Sequence, residues 1–194
     1  MENPFPFPFP PKPILLLLPF LLSLIACTPQ PASQCRQFAN ITQQSKSIRE
    51  SFDSDIADAQ VKISAAQDLA TLQTAAQDYT AAFERVITQL DTMSQAFEQI
   101  NIADEQLDDY RDRYISFIAN TKTALTEGSA AMQLVIDAKT EADFSAIFAT
   151  FTSQSNAAYS NIQKLDQQED DILNQFNAYC TETLGLADLQ TSQP

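Results

Sequence analysis

The sequence predicts an all-α fold, an antiparallel up-down-up-down four-helix bundle with long helices. Glycine occurs at only two positions, Gly128 and Gly185, and no proline lies between Pro31 and Pro194. A β-rich domain needs turn residues at frequent intervals, so this composition excludes one. In four segments, apolar residues recur every three or four positions, which is the spacing of one helix face. The connections between these segments are short, and helices joined by short connections pack antiparallel, with their axes crossing at about 20°.

The first two helices are expected over residues 35–62 and 68–100. The stripe of the first helix contains one polar residue, Ser45, whereas the stripe of the second alternates steps of three and four without a break. The first stripe is Phe38, Ile41, Ser45, Ile48, Phe52, Ile56, Ala59 and Ile63. The second is Leu69, Leu72, Ala76, Tyr79, Phe83, Val86, Leu90, Met93 and Phe97.

The third helix is expected over residues 104–139. Its first turns carry Asp104, Glu105, Asp108 and Asp109, where the helix dipole favours anions. A calcium site is the alternative interpretation, but no glycine-containing loop with ordered ligand spacing supports it. The stripe is Leu107, Tyr110, Tyr114, Phe117, Thr121, Ala124, Gly128, Ala131, Val135 and Ala138.

The fourth helix is expected to begin after a Thr140 cap, with Asp143 in the position of a capping box, and to end near residue 183. One charged residue, Glu169, falls in its stripe, and we expect that carboxylate at a solvated or lysine-paired edge. Small residues of the third helix, Gly128 among them, are expected to face phenylalanines of the fourth. The fourth stripe is Phe144, Phe148, Phe151, Ser155, Ala158, Ile162, Leu165, Glu169, Ile172, Phe176 and Tyr179.

The composition also excludes several kinds of chemistry. The formal net charge is −14, which disfavours nucleic acid as a partner because phosphates need clusters of Lys and Arg. The chain has no histidine, so a Ser-His-Asp device and the usual haem and di-iron sites are excluded. Two glycines are too few for a Rossmann or P-loop site. We therefore expect neither an enzyme nor a bound cofactor or metal.

The most specific motif lies near the amino terminus. Residues Leu24-Ile25-Ala26-Cys27 end an apolar run that starts at Ile14, and a run of about 13 residues is too short to span a bilayer. The tetrad resembles the lipobox of bacterial lipoproteins. That resemblance implies that diacylglyceryl attaches to Cys27, that cleavage makes Cys27 the new amino terminus, and that acyl chains anchor the protein to a membrane. The alternative is an ordinary cleaved signal in which Cys27 is incidental.

The resemblance sets the expected domain organisation. Residues 1–26 are a lipoprotein signal peptide, residues 27–34 a lipid-anchored tether, residues 35–183 the four-helix bundle and residues 184–194 a flexible tail. The tether is expected to be extended because proline disfavours helix. The implied location is the bacterial cell envelope, facing the periplasm or the exterior.

A disulfide is expected between Cys35 and Cys180. Cys35 opens the first helix and Cys180 closes the fourth, so an up-down bundle places both at one end. An exported protein occupies a compartment that permits disulfides. Closing the loop of about 145 residues between the two cysteines should stabilise the folded state by ~4–5 kcal/mol on the chain-entropy model. Two free buried thiols are the alternative.

Two hypotheses for function remain. One is a non-enzymatic envelope protein that binds another envelope protein or helps to assemble a complex; the other is an extracytoplasmic sensor-like bundle that binds a small ligand. For the first, we expect the partner at the end of the bundle that carries the two hairpin turns, near residues 62–67 and 139–143. Leu134, Ile136 and Ile147 lie there, and Ile136 is expected to point outward. Scattered surface hydrophobic residues are the alternative interpretation of that cluster.

Overall fold

Four long helices form an all-α bundle, as the sequence predicts. The structure is a computed structural model that describes residues 30–183. The helices are α1 (Pro31–Ala65), α2 (Leu69–Glu98), α3 (Glu105–Asp137) and α4 (Glu141–Ala178), and a π-helical turn, Tyr179–Thr183, continues α4. Consecutive helices pack closely against one another. Cys27, the expected signal peptide and the expected tail at 184–194 lie outside the described residues.

Helix α1 begins at Pro31, four residues before the predicted start, so the second half of the expected tether is helical. Proline is compatible with the first helical position, because its φ is already helical and an amide at that position has no intrahelical partner. The segment is also packed. Gln34 is buried, and its Oε1 accepts a hydrogen bond from the N–H of Ala103, 3.0 Å away, in the α2–α3 connection.

Polar side chains cap the other three helices. Asp68 forms a capping box with Thr71 at the start of α2, and Asp104 accepts from the N–H of Leu107 at the start of α3. Thr140 accepts from the N–H of Asp143, which confirms the cap predicted for α4. Each bond satisfies a backbone donor that has no partner within the helix.

The core is densest at the end of the bundle where α1 begins and α4 ends, here called the disulfide end. Cys35 and Cys180 are joined there, with Cα atoms 6.1 Å apart. Next to them, the ring of Phe38 stacks on Phe176 at 4.2 Å and meets the edge of Phe97 at 4.9 Å between centroids. This aromatic cluster joins α1, α2 and α4 within one layer.

The opposite end, which carries the α1–α2 and α3–α4 connections and is here called the hairpin end, differs from prediction. The stripe of α4 predicts that Phe148 is buried, but its side chain is 52 % exposed. Gly128 packs instead against Phe83 of α2, whose ring atoms would lie 3.1 Å from an added Cβ. The small residue therefore allows α2 and α3 to approach closely, rather than accommodating the phenylalanines of α4.

Substitutions should separate the buried stripe from the rest. Phe83→Ala removes a buried ring and should lower the free energy of unfolding by about 3–5 kcal/mol. Phe151 is half-buried, so Phe151→Ala should lower the free energy of unfolding by less than Phe83→Ala. Gln89 is exposed, so Gln89→Ala should change the free energy of unfolding by no more than about 0.5 kcal/mol. Urea unfolding measures all three, and equal losses would contradict the helix phase described here.

Candidate functional site

A buried polar cluster lies at the seam between α1 and α4. Its centre is Glu169, whose side chain is 2 % exposed. The hydroxyl of Ser45 donates to Glu169 Oε1 at 2.6 Å, the guanidinium of Arg49 donates to Oε2 at 2.6 Å, and the hydroxyl of Tyr114 donates to Oε1. The carboxylate therefore joins α1, α3 and α4.

This finding corrects the prediction for Glu169. The sequence suggested a solvated or lysine-paired edge, but the carboxylate is enclosed and its counter-charge is an arginine. A buried carboxylate needs both a counter-ion and hydrogen-bond donors to remain charged. Arg49, Ser45 and Tyr114 supply them, and Ser45 is the one polar residue in the α1 stripe.

The cluster perturbs the ionisation of its members. Burial, reinforced by the charge of Glu169, raises the pKa of Tyr114 well above its ordinary value, so this phenol remains a donor. Burial opposes the charge of Arg49, but its attraction to Glu169 and Asp166 outweighs this and raises its pKa. Burial also raises the pKa of Asp166, although Arg49 opposes the shift. Because the raised pKa values keep Tyr114 and Arg49 protonated, both remain hydrogen-bond donors to Glu169 and hold the helices together.

A second polar group fixes the disulfide end. The phenol of Tyr179 donates to Asp104 Oδ2 at 2.8 Å, and burial together with this bond raises the pKa of Tyr179 to about 12. Asp104 thus caps α3 and binds α4, while Asp108 and Asp109 pair with Arg111 and Arg113. Among the described residues, no group of three or more histidine, cysteine or acidic residues could hold a metal ion.

The residues predicted to bind a partner do not form an exposed patch. Leu134, Ile136 and Ile147 are all half-buried, and Ile136 packs against the core rather than pointing outward. Next to Ile136, the amide of Gln73 in α2 donates hydrogen bonds to the carbonyls of Ile136 at 3.0 Å and Ala138 at 2.7 Å. These bonds hold the start of α2 against the last turn of α3.

Other apolar side chains are exposed instead. Among the described residues the large ones are Val61 at 68 %, Tyr159 at 63 % and Phe148 at 52 %. Val61 and Phe148 lie in the helix turns nearest the hairpin end. The sequence predicts an outward-pointing Ile136 but not the exposure of Phe148, because the stripe of α4 does not reveal that α1 leaves part of it uncovered.

No protein-family model, curated protein or solved structure matches this chain. In the part of the chain from 30 to 183, no helix is both long and apolar enough to cross a bilayer.

Substitutions in the polar cluster should couple. Arg49→Met leaves a buried carboxylate without its counter-ion and should cost about 2–4 kcal/mol of unfolding free energy. Glu169→Gln should cost about 1–2 kcal/mol, because half-exposed Arg49 can turn to water. The double variant should cost no more than Arg49→Met alone, since it leaves no buried charge unpaired.

Lys46→Met is the matched control for this cycle. Lys46 is half-exposed and lies 4.0 Å from its partner Glu50, so its removal should change the unfolding free energy by at most about 0.5 kcal/mol. Strictly additive costs for Arg49 and Glu169 in urea unfolding would contradict a coupled cluster.

Proposed function

We propose that this chain is a lipid-anchored protein of the bacterial cell envelope that acts by binding another protein rather than by catalysis. The observation that carries the proposal is the lipobox-like tetrad Leu24-Ile25-Ala26-Cys27 at the end of a short apolar run. The disulfide between Cys35 and Cys180 supports it, because disulfides persist mainly in oxidising compartments outside the cytoplasm.

The position at which α1 begins indicates which end of the bundle a lipid on Cys27 would hold near the membrane. Because the helix begins at Pro31, only residues 28–30 separate it from Cys27, and three residues reach at most about 10 Å. A lipid on Cys27 would therefore hold the disulfide end of the bundle close to the membrane surface. Helix α4 alone is about 57 Å long at 1.5 Å per residue, so the hairpin end would stand well away from the lipid.

The exposed side chains favour protein binding as the activity. Phe148 lies in the half of the bundle that this orientation turns away from the membrane, where another protein could reach it. Exposed aromatic residues are typical of interface cores. Asp68, Asp104 and Glu169, by contrast, are engaged in caps or in the buried cluster that holds the helices together.

Metabolic labelling tests the anchor. A bacterium that produces the chain and grows on an alkyne fatty acid should label the wild type, and Cys27→Ala should abolish the label. Ser33→Ala is the matched control and should keep the label, because Ser33 lies on α1 beyond the lipobox. Label that survives in Cys27→Ala, or is missing from the wild type, would rule out the anchor.

A second measurement separates the two candidate functions. Native mass spectrometry of the protein released from membranes in mild detergent should show a bound protein and no retained small molecule. A stoichiometric small ligand would favour the sensor-like alternative instead.

A further inference from the structure

The exposed aromatic side chains of α4 lie on the face that looks toward α1. Asp166 marks this face, because its carboxylate lies 3.4 Å from the guanidinium of Arg49. Phe148 precedes Asp166 by 18 residues, about five turns, and Tyr159 precedes it by seven, about two turns. Both side chains therefore project from the same side of α4 as Asp166.

The seam between α1 and α4 is open at this point. The two helices are antiparallel and rise equally per residue, so Ile56 of α1 and Tyr159 of α4, each seven residues beyond the Arg49–Asp166 pair, lie at the same height in the bundle. Tyr159 is nevertheless 63 % exposed, and Ile56 is only half-buried. A closed helix interface would cover both side chains.

An unsatisfied hydroxyl lies in the same seam. Ser155 precedes Asp166 by 11 residues, about three turns, and so shares its face. Its Oγ is buried and has no hydrogen-bond partner. Buried polar atoms usually have a partner, and this hydroxyl has none within the described bundle.

The charges that border the seam are acidic. Asp53 follows Arg49 by about one turn on α1, Asp170 follows Asp166 by about one turn on α4, and both carboxylates are exposed. In residues 50–65 and 141–165 the cations are Lys62 and Lys164. Lys62 bonds to Asp78 of α2, and Lys164 lies about 160° around α4 from Asp166, so neither neutralises this border.

We propose that this groove, lined by Ile56 and Tyr159, with Phe148 just beyond the end of α1, and bordered by Asp53 and Asp170, binds one amphipathic helix of a partner protein that carries Lys or Arg along the edges of its apolar face. A groove between two helices takes a third helix by ridge-into-groove packing. From Arg49 to Ala65 it is about 24 Å long, which suits a helix of about 16 residues. The proposal rests on the proposed function in that the occupant is another protein.

Charge decides against a second copy of this chain as the occupant. Each copy carries a formal net charge of −14, so an acidic border would meet an acidic surface, and like charges across an interface disfavour association. The border of the groove instead complements a basic helix.

Photo-crosslinking in living cells tests the groove with the full-length chain. Benzoylphenylalanine replaces Tyr159 or Phe148, both exposed, and in the control it replaces Val61, which is more exposed but lies about a third of a turn from the α1 face of Arg49. Positions 159 and 148 should form adducts with the same segment of one protein. That segment should show apolar residues three or four apart with flanking Lys or Arg.

Charge reversal supplies the matched pair of variants. Asp53 and Asp58 are both exposed on α1, but Asp58 lies nine residues from Arg49, about two and a half turns, and so points away from the seam. Asp53→Lys should lower the adduct yield at position 159 at least about fivefold, because it replaces a border anion with a cation. Asp58→Lys makes the same change in net charge and should alter the yield by less than about twofold.

Several results would overturn the proposal: no adduct at positions 148 and 159, equal adducts at position 61, equal effects of the two lysine variants, an acidic partner segment, or an adduct with a second copy or with residues 1–29 of this chain. Failure here is distinguishable from failure of the anchor. Fatty-acid label on Cys27 without adducts leaves the anchor standing, and adducts without label leave the groove standing.

Discussion

The carboxylate of Glu169 is the interaction that holds the middle of the first helix to the last, beyond the reach of the disulfide at their ends. It accepts hydrogen bonds from Ser45 and Arg49 of α1 and from Tyr114 of α3. A carboxylate in this position is costly unless every donor stays in place. The same group that stabilises the assembled bundle therefore penalises any arrangement in which α1 moves away from α4.

This cluster divides the bundle into two unlike halves. On one side lie the disulfide, the stacked rings of Phe38 and Phe176, and the bond from Tyr179 to Asp104. On the other side, α1 packs on α2 and α4 packs on α3, but the α1–α4 seam leaves aromatic side chains exposed. The bundle is therefore tightly closed at the disulfide end and more open at the hairpin end.

The sequence predicts the helices well because their apolar stripes are long and regular. The caps at Asp68, Asp104 and Thr140 are visible as short polar residues before each stripe. The predicted start of α1 at Cys35 is too late, because proline disfavours the interior of a helix but is favoured in its first turn. Because α1 begins at Pro31, only residues 27–30 of the expected tether precede the helix.

The polar cluster could have been found from the sequence. Ser45 follows Cys35 by ten residues and Glu169 precedes Cys180 by eleven. In antiparallel helices joined at those cysteines, the two polar residues of the stripes must stand at nearly the same height. The exposure of Phe148 and the burial of Ile136 were not predictable in this way. They depend on how far α1 covers α4 and on the reach of Gln73, which periodicity along a single helix does not encode.

Hydrogen–deuterium exchange of the oxidised full-length protein tests this division most directly. The account predicts slow exchange in α1 from residue 34 to 49 and in α4 from residue 166 to 178, and clearly faster exchange in residues 56–65 and 141–159, because backbone protection follows local packing. Equal protection along the whole of α1 and α4 would contradict it, since the seam would then be closed at both ends.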